Sequence, residues 1–81
     1  MPKPKRLSGQ DVIRIFLSLG FQQVAQHGSH VKLRRILTDG ARQTLTIPAH
    51  DELDKGTTLA IYRQALRYVG ESELRPHFYS D

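Results

Sequence analysis

Two stretches near the middle of the chain, His30-Val31-Lys32-Leu33-Arg34 and Thr44-Leu45-Thr46-Ile47, alternate polar with apolar residues. Period two is the pattern of β-strands with one buried face. On either side the period changes. Val12, Ile13, Phe16 and Leu17 recur at helical spacing, as do Ile61, Tyr62, Ala65, Leu66 and Val69. A chain of 81 residues can build only one small core, so helices and strands must share it. The expected fold is α+β, in the order α-β-β-β-α.

Local signals set the boundaries. Ser8 is a suitable N-cap, Asp11 suits a first helical turn and Gly20 suits a C-terminal cap, which predicts a first helix over 9–19. Gly28-Ser29 fits a two-residue hairpin turn with glycine first. That turn sets His27 opposite His30 and Val24 opposite Leu33. The next turn contains Asp39-Gly40, but a two-residue turn there would set Leu33 opposite Thr46. A three-residue loop, Thr38-Asp39-Gly40, sets Leu33 opposite Leu45 and Val31 opposite Ile47. Burial of two aliphatic pairs outweighs the turn preference. The result is a three-stranded antiparallel sheet ended by Pro48.

A second helix is predicted over 57–69, closed by Gly70. A short turn of helix capped by Ser72 follows, with Leu74 and Phe78 packing back and Pro76 arguing against anything longer. Residues 1–7 hold two prolines, three cations and no periodicity, and are expected to be a flexible basic arm on a single domain of residues 8–81. Both helices have one apolar face, and so does the sheet. The simplest arrangement packs both helices on one face of the sheet. The opposite face then carries His27, His30, Lys32, Arg34, Thr44 and Thr46.

Composition excludes several classes. There is no cysteine, hence no disulfide framework and no thiolate metal site. No apolar run approaches the roughly 18 residues of a membrane span. The basic start leads into no apolar stretch, so no secretion signal is expected and a cytoplasmic protein is. His27, His30, His50 and His77 lie at turns and in loops without a carboxylate at ligand spacing, so neither a metal nor a cofactor is expected. No phosphate-cradling glycine loop and no serine or cysteine nucleophile motif occurs.

The net charge of +4 favours a polyanionic partner, RNA above all. RNA carries its own nucleophile, the 2′-hydroxyl. Cleavage needs a base of pKa about 6.5 for that proton, an acid for the leaving 5′-oxygen, and cations for the phosphorane charge. His30 beside Lys32 and Arg34 on an open face supplies those groups, and Arg35 adds to the positive run. The plain alternative is a polar strand face with incidental histidines. Lys55, at the start of the second helix, either reaches a phosphate or belongs to a solvated connection.

Taken together, "LSGQDVIRIFLSLGF", then "GSH" followed by alternating strand residues, then "TIPAHDELDKGT" and a terminal helix, resemble the HicA toxin family over roughly residues 7–70. The resemblance implies a double-stranded-RNA-binding-domain-like fold of the same α-β-β-β-α order. It implies an endoribonuclease that cleaves mRNA and arrests translation, with its catalytic histidine in Gly-Ser-His, here His30. It also implies a HicB-type antitoxin partner. Thr58 stands where the family usually has leucine after Gly-Thr. The second proton-transfer group stays open between His27 and His50, and Lys32, Arg34, Arg35 and Lys55 are the expected RNA-binding residues. A non-catalytic RNA-binding module of the same fold is the alternative.

Overall fold

The computed structural model describes residues 2–80. A short strand β1 (Lys3–Pro4) precedes helix α1 (Gly9–Ser18). Strands β2 (Gln22–His27), β3 (His30–Ile36) and β4 (Arg42–Pro48) follow, then helices α2 (Lys55–Ala65) and α3 (Glu71–Phe78) and a last strand β5 (Tyr79–Ser80). The middle of this order is the expected α-β-β-β-α, with β2-β3-β4 as an antiparallel meander.

Helix α1 begins as its sequence indicates. The Ser8 hydroxyl accepts the Asp11 N–H at 3.0 Å, and the Asp11 carboxylate accepts the Ser8 N–H at 2.9 Å. This reciprocal capping box satisfies two otherwise orphaned donors. The backbone hydrogen bond from Ser8, then the bond from Arg14, holds the Asp11 carboxyl below its ordinary pKa. At the other end Gly20 is left-handed, with φ 97°. The Gly20 N–H bonds the Leu17 carbonyl at 3.2 Å and the Phe21 N–H bonds that of Phe16 at 3.0 Å. This double closure carries its usual hydrophobic contact: the Phe16 and Phe21 rings meet edge-on at 5.6 Å.

The register confirms the three-residue second loop. Leu33 lies opposite Leu45 and Val31 opposite Ile47, and all four side chains are buried. The first hairpin differs at one point. His27 does face His30, but a bulge between Gln23 and Ala25 puts Gln23, not Val24, opposite Leu33. Val24 is the extra residue of the bulge and stays largely exposed. β2 is an edge strand, and bulges concentrate on such edges, where they add twist.

Helices α1 and α2 both contact β4, and Val12, Ile13, Phe16, Ile61, Tyr62 and Ala65 join the four sheet aliphatics in one core cluster. Fully burying such a side chain contributes about 1.5–3 kcal/mol. α2 is shifted from its predicted span. It starts two residues earlier because Asp54 caps it, accepting the Thr57 N–H at 2.7 Å. It ends at Ala65 because the next bonds tighten to the i−3 pattern, Arg67 to Gln64 and Tyr68 to Ala65.

The C-terminal segment departs further from expectation. α3 is eight residues long, its N-cap is Gly70 rather than Ser72, and Pro76 lies inside it. Proline removes one bond, to the carbonyl of exposed Ser72, where water can replace the missing donor. Leu74 and Phe78 are buried as expected. Residues 3–7 are not a separate arm. Lys3 and Pro4 pair with Ser80 and Tyr79, the Lys5 N–H bonds the Phe78 carbonyl, and the Leu7 carbonyl accepts the Leu53 N–H. The prolines and cations that hide any periodicity suit an edge strand.

Candidate active site

The β2–β3 turn sets the geometry. Of its two central residues only Gly28 has positive φ, at 59°, the pattern of a type II′ turn with glycine at the first central position. The Gln26 side-chain amide donates to the Gly28 carbonyl at 3.0 Å. His27 and His30 are therefore directly opposed and exposed on the same face, where cross-strand side chains are close neighbours.

From His30 the strand presents Lys32 and Arg34 to that face, while Val31 and Leu33 turn to the core. Lys32 lies opposite Thr46 and Arg34 opposite Thr44. Both cations are half-buried by their neighbours. The Arg34 Nε is buried without a hydrogen-bond partner among the described residues. The ion pair Arg14–Asp11 lies elsewhere, on α1. No carboxylate comes within ion-pair distance of His30, Lys32 or Arg34 among the described residues.

Three separate sequence motifs meet at the turn. The Ala49 N–H donates to the Ser29 carbonyl at 2.6 Å. His50 Nε2 lies 3.3 Å from the Ser29 hydroxyl. The Gly9 N–H donates to the His50 carbonyl at 2.8 Å. A β-carbon at Gly9 would run into the Pro48 carbonyl oxygen and lie 2.7 Å from Ala49 Cα. Only glycine lets the start of α1 approach so closely. Ser8-Gly9, Gly28-Ser29-His30 and Pro48-Ala49-His50 are thus one structural unit around His30. Spacing along the chain does not reveal this convergence.

Arg35 is not on this face. It points to the helical side, where Nε donates to Gln43 Oε1 at 2.8 Å, Nη1 to the Leu19 carbonyl at 2.8 Å and Nη2 to the Tyr68 carbonyl at 3.0 Å. Its guanidinium also sits 4.8 Å from the Phe21 ring centroid. Nε ties β3 to β4, and Nη1 and Nη2 tie the C-cap of α1 to the turn that follows α2, so its expected place among the RNA-binding residues gives way to a structural one. Alternation alone indicates this, since Arg35 shares the parity of Val31 and Leu33. Lys55 is the first residue of α2 and lines a cleft with Lys3, Lys5 and Arg6. The strand face itself is formed without it.

No group of three or more histidine, cysteine, aspartate or glutamate side chains suited to a metal occurs among the described residues. No helix is long and apolar enough to cross a membrane.

The fold and this face define a small α+β domain with paired histidines and unpaired cations on one side of a three-stranded sheet. The family model described as "HicA toxin of bacterial toxin-antitoxin" matches residues 9–66, and the chain belongs to the HicA toxin family. Membership implies an RNA substrate and a HicB antitoxin partner. Neither the comparison with curated proteins nor that with solved structures gives a match.

Proposed function

We propose that this protein is a metal-independent endoribonuclease that cleaves mRNA in the cytoplasm, arrests translation and is neutralised by its HicB-type antitoxin. The observation that carries the proposal is the shared face of His30, Lys32 and Arg34, with His27 directly across from His30.

The chemistry follows from those groups. One imidazole takes the proton of the ribose 2′-hydroxyl. The 2′-oxygen attacks the adjacent phosphorus, and the bond to the 5′-oxygen breaks as that oxygen receives a proton. Lys32 and Arg34 hold the phosphate and stabilise the charge that develops on it. The products are a 2′,3′-cyclic phosphate and a free 5′-hydroxyl. His30 is one proton-transfer group. His27 is favoured over His50 as the second, because it shares a strand pair with His30, whereas the His50 ring is turned to the Ser29 hydroxyl.

The test is cleavage of a defined RNA by purified wild type and His30→Ala, with growth scored on induction. His30→Ala is expected to lose at least about 100-fold in rate while keeping its folded spectrum and thermal midpoint. Full activity in that variant would end the proposal. So would RNA bound but intact with the wild type, the result a non-catalytic RNA-binding module gives. His27→Ala should lose more activity than His50→Ala. Cleavage should survive excess chelator, and loss restored by one specific ion would overturn metal independence.

A further inference from the structure

The segments outside the matched family region fold onto each other. β1 pairs with β5, the Lys5 ammonium donates to the Pro76 carbonyl at 2.9 Å, and the Arg75 guanidinium lies 5.0 Å from the Tyr79 ring centroid. Between this clasp and the start of α2 lies a cleft of about 550 Å³, within the range of small-ligand sites. Four cations line it, Lys3, Lys5, Arg6 and Lys55, against the two carboxylates Glu52 and Asp54. Asp54 is already engaged as the α2 cap. Lys3, Arg6 and Lys55 make no ion pair among the described residues.

The inner wall is apolar and aromatic, built from Leu53, Leu59, Tyr62, Phe78 and Tyr79. Tyr62 is 5% exposed, and its hydroxyl is buried with no hydrogen-bond partner. Burial, reinforced by the Glu71 charge and opposed by the neighbouring Arg75, holds the Tyr62 phenol above its ordinary pKa.

We infer that this cleft is a second RNA subsite, in which a nucleotide a few positions from the scissile phosphate sets its base against the apolar wall beside the partly exposed Tyr79 ring, and its phosphates on Lys3, Arg6 and Lys55. The inference rests on the ribonuclease reading of the strand face and extends it. A basic rim over an aromatic floor is the usual composition of single-strand sites. The connection to His30 is short. His50 touches Ser29, and Lys55 is five residues on, at most about 19 Å away between Cα atoms. On this reading one RNA strand of several nucleotides runs across both.

The test uses the full chain with His30→Ala, so that RNA stays intact, and measures binding of a labelled single strand of about 12 nucleotides by fluorescence anisotropy at several salt concentrations. Lys3→Glu/Arg6→Glu should weaken binding about tenfold and reduce the log–log salt slope by about 1.4, the value for two lost single-strand phosphate contacts. With His30 restored, the charge variant should raise KM and leave kcat near wild type. Unchanged affinity and slope in the charge variant would overturn the subsite. Weakened antitoxin binding with RNA binding intact would also overturn it, assigning the cleft to the protein partner. Neither result depends on cleavage, so failure of the nuclease reading shows separately, as wild-type protein that leaves RNA whole.

Discussion

On one side of β3, Val31, Leu33 and Arg35 face the helices; on the other, His30, Lys32 and Arg34 face outward. The adjacent arginines make the contrast sharpest. Arg35 has every guanidinium nitrogen bonded within the protein and one aromatic ring beneath it. Arg34 has a buried Nε with no partner and no ion pair among the described residues. The same side chain therefore serves opposite ends. A cation at the C-cap carbonyl of α1 and at a carbonyl of the turn after α2 completes their bonding, and at α1 it complements the dipole. A cation with no ion pair on an open face is available to an anion. Strand parity, not residue type, decides between these uses.

The largest expected effect belongs to the inner side. Leu33 is fully buried, so Leu33→Ala should lower stability by about 3–4 kcal/mol. A domain of this size has roughly 4–12 kcal/mol in total, so the denaturant midpoint should fall steeply. Lys32→Ala, one residue away, should move the midpoint by about 0.5 kcal/mol or less while weakening RNA binding. Equal losses of stability in the two variants would erase the distinction. Next in size is the arginine pair. Arg35→Ala leaves the Leu19 and Tyr68 carbonyls without their donor and should cost about 2–3 kcal/mol. Arg34→Ala should stay within about 1 kcal/mol of wild type and reduce the RNA salt slope by about 0.7. If Arg34→Ala unfolded the protein and Arg35→Ala abolished RNA binding, the two sides would have to be exchanged.

Much of this was legible in the sequence because the deciding signals are local. Ser8 and Asp11 cap α1, Gly28 fits its turn, and matching Leu33 to Leu45 selects the second loop. His30, Lys32 and Arg34 share a face by counting in twos. What was not legible depends on distant partners. Val24 looks like a core residue until a bulge sets it aside, and nothing in "FQQVAQ" marks the extra residue. Pro76 reads as a helix stop, yet the missing bond falls on an exposed carbonyl, and buried Leu74 and Phe78 hold the helix together. The clasp pairs residues more than seventy positions apart, beyond any periodicity. The role of Gly9 likewise depends on β4 arriving beside it.

Two smaller effects sharpen the comparison at its ends. Gly28 has open space around a would-be β-carbon, but its φ is 59°. Gly28→Ala should therefore cost about 1–2 kcal/mol through strain alone. It should reduce cleavage further than that loss explains, since the turn aligns His27 with His30. Cleavage that merely tracks the folded fraction would show that the histidine pair needs no alignment. The smallest effect is the acid response of the helical layer. The folded state lowers the pKa of Asp11, chiefly through the Ser8 backbone bond. Its contribution is thus present above the ordinary carboxylate value near about 4 and is lost as pH falls through the lowered folded value. Asp11→Asn keeps an acceptor but cannot titrate, so its thermal midpoint should fall less than that of wild type between neutral pH and pH about 2. If the two acid limbs coincide, the charge on Asp11 contributes nothing to the cap, and the neutral hydrogen bonds of the box close the N-terminus of α1 by themselves.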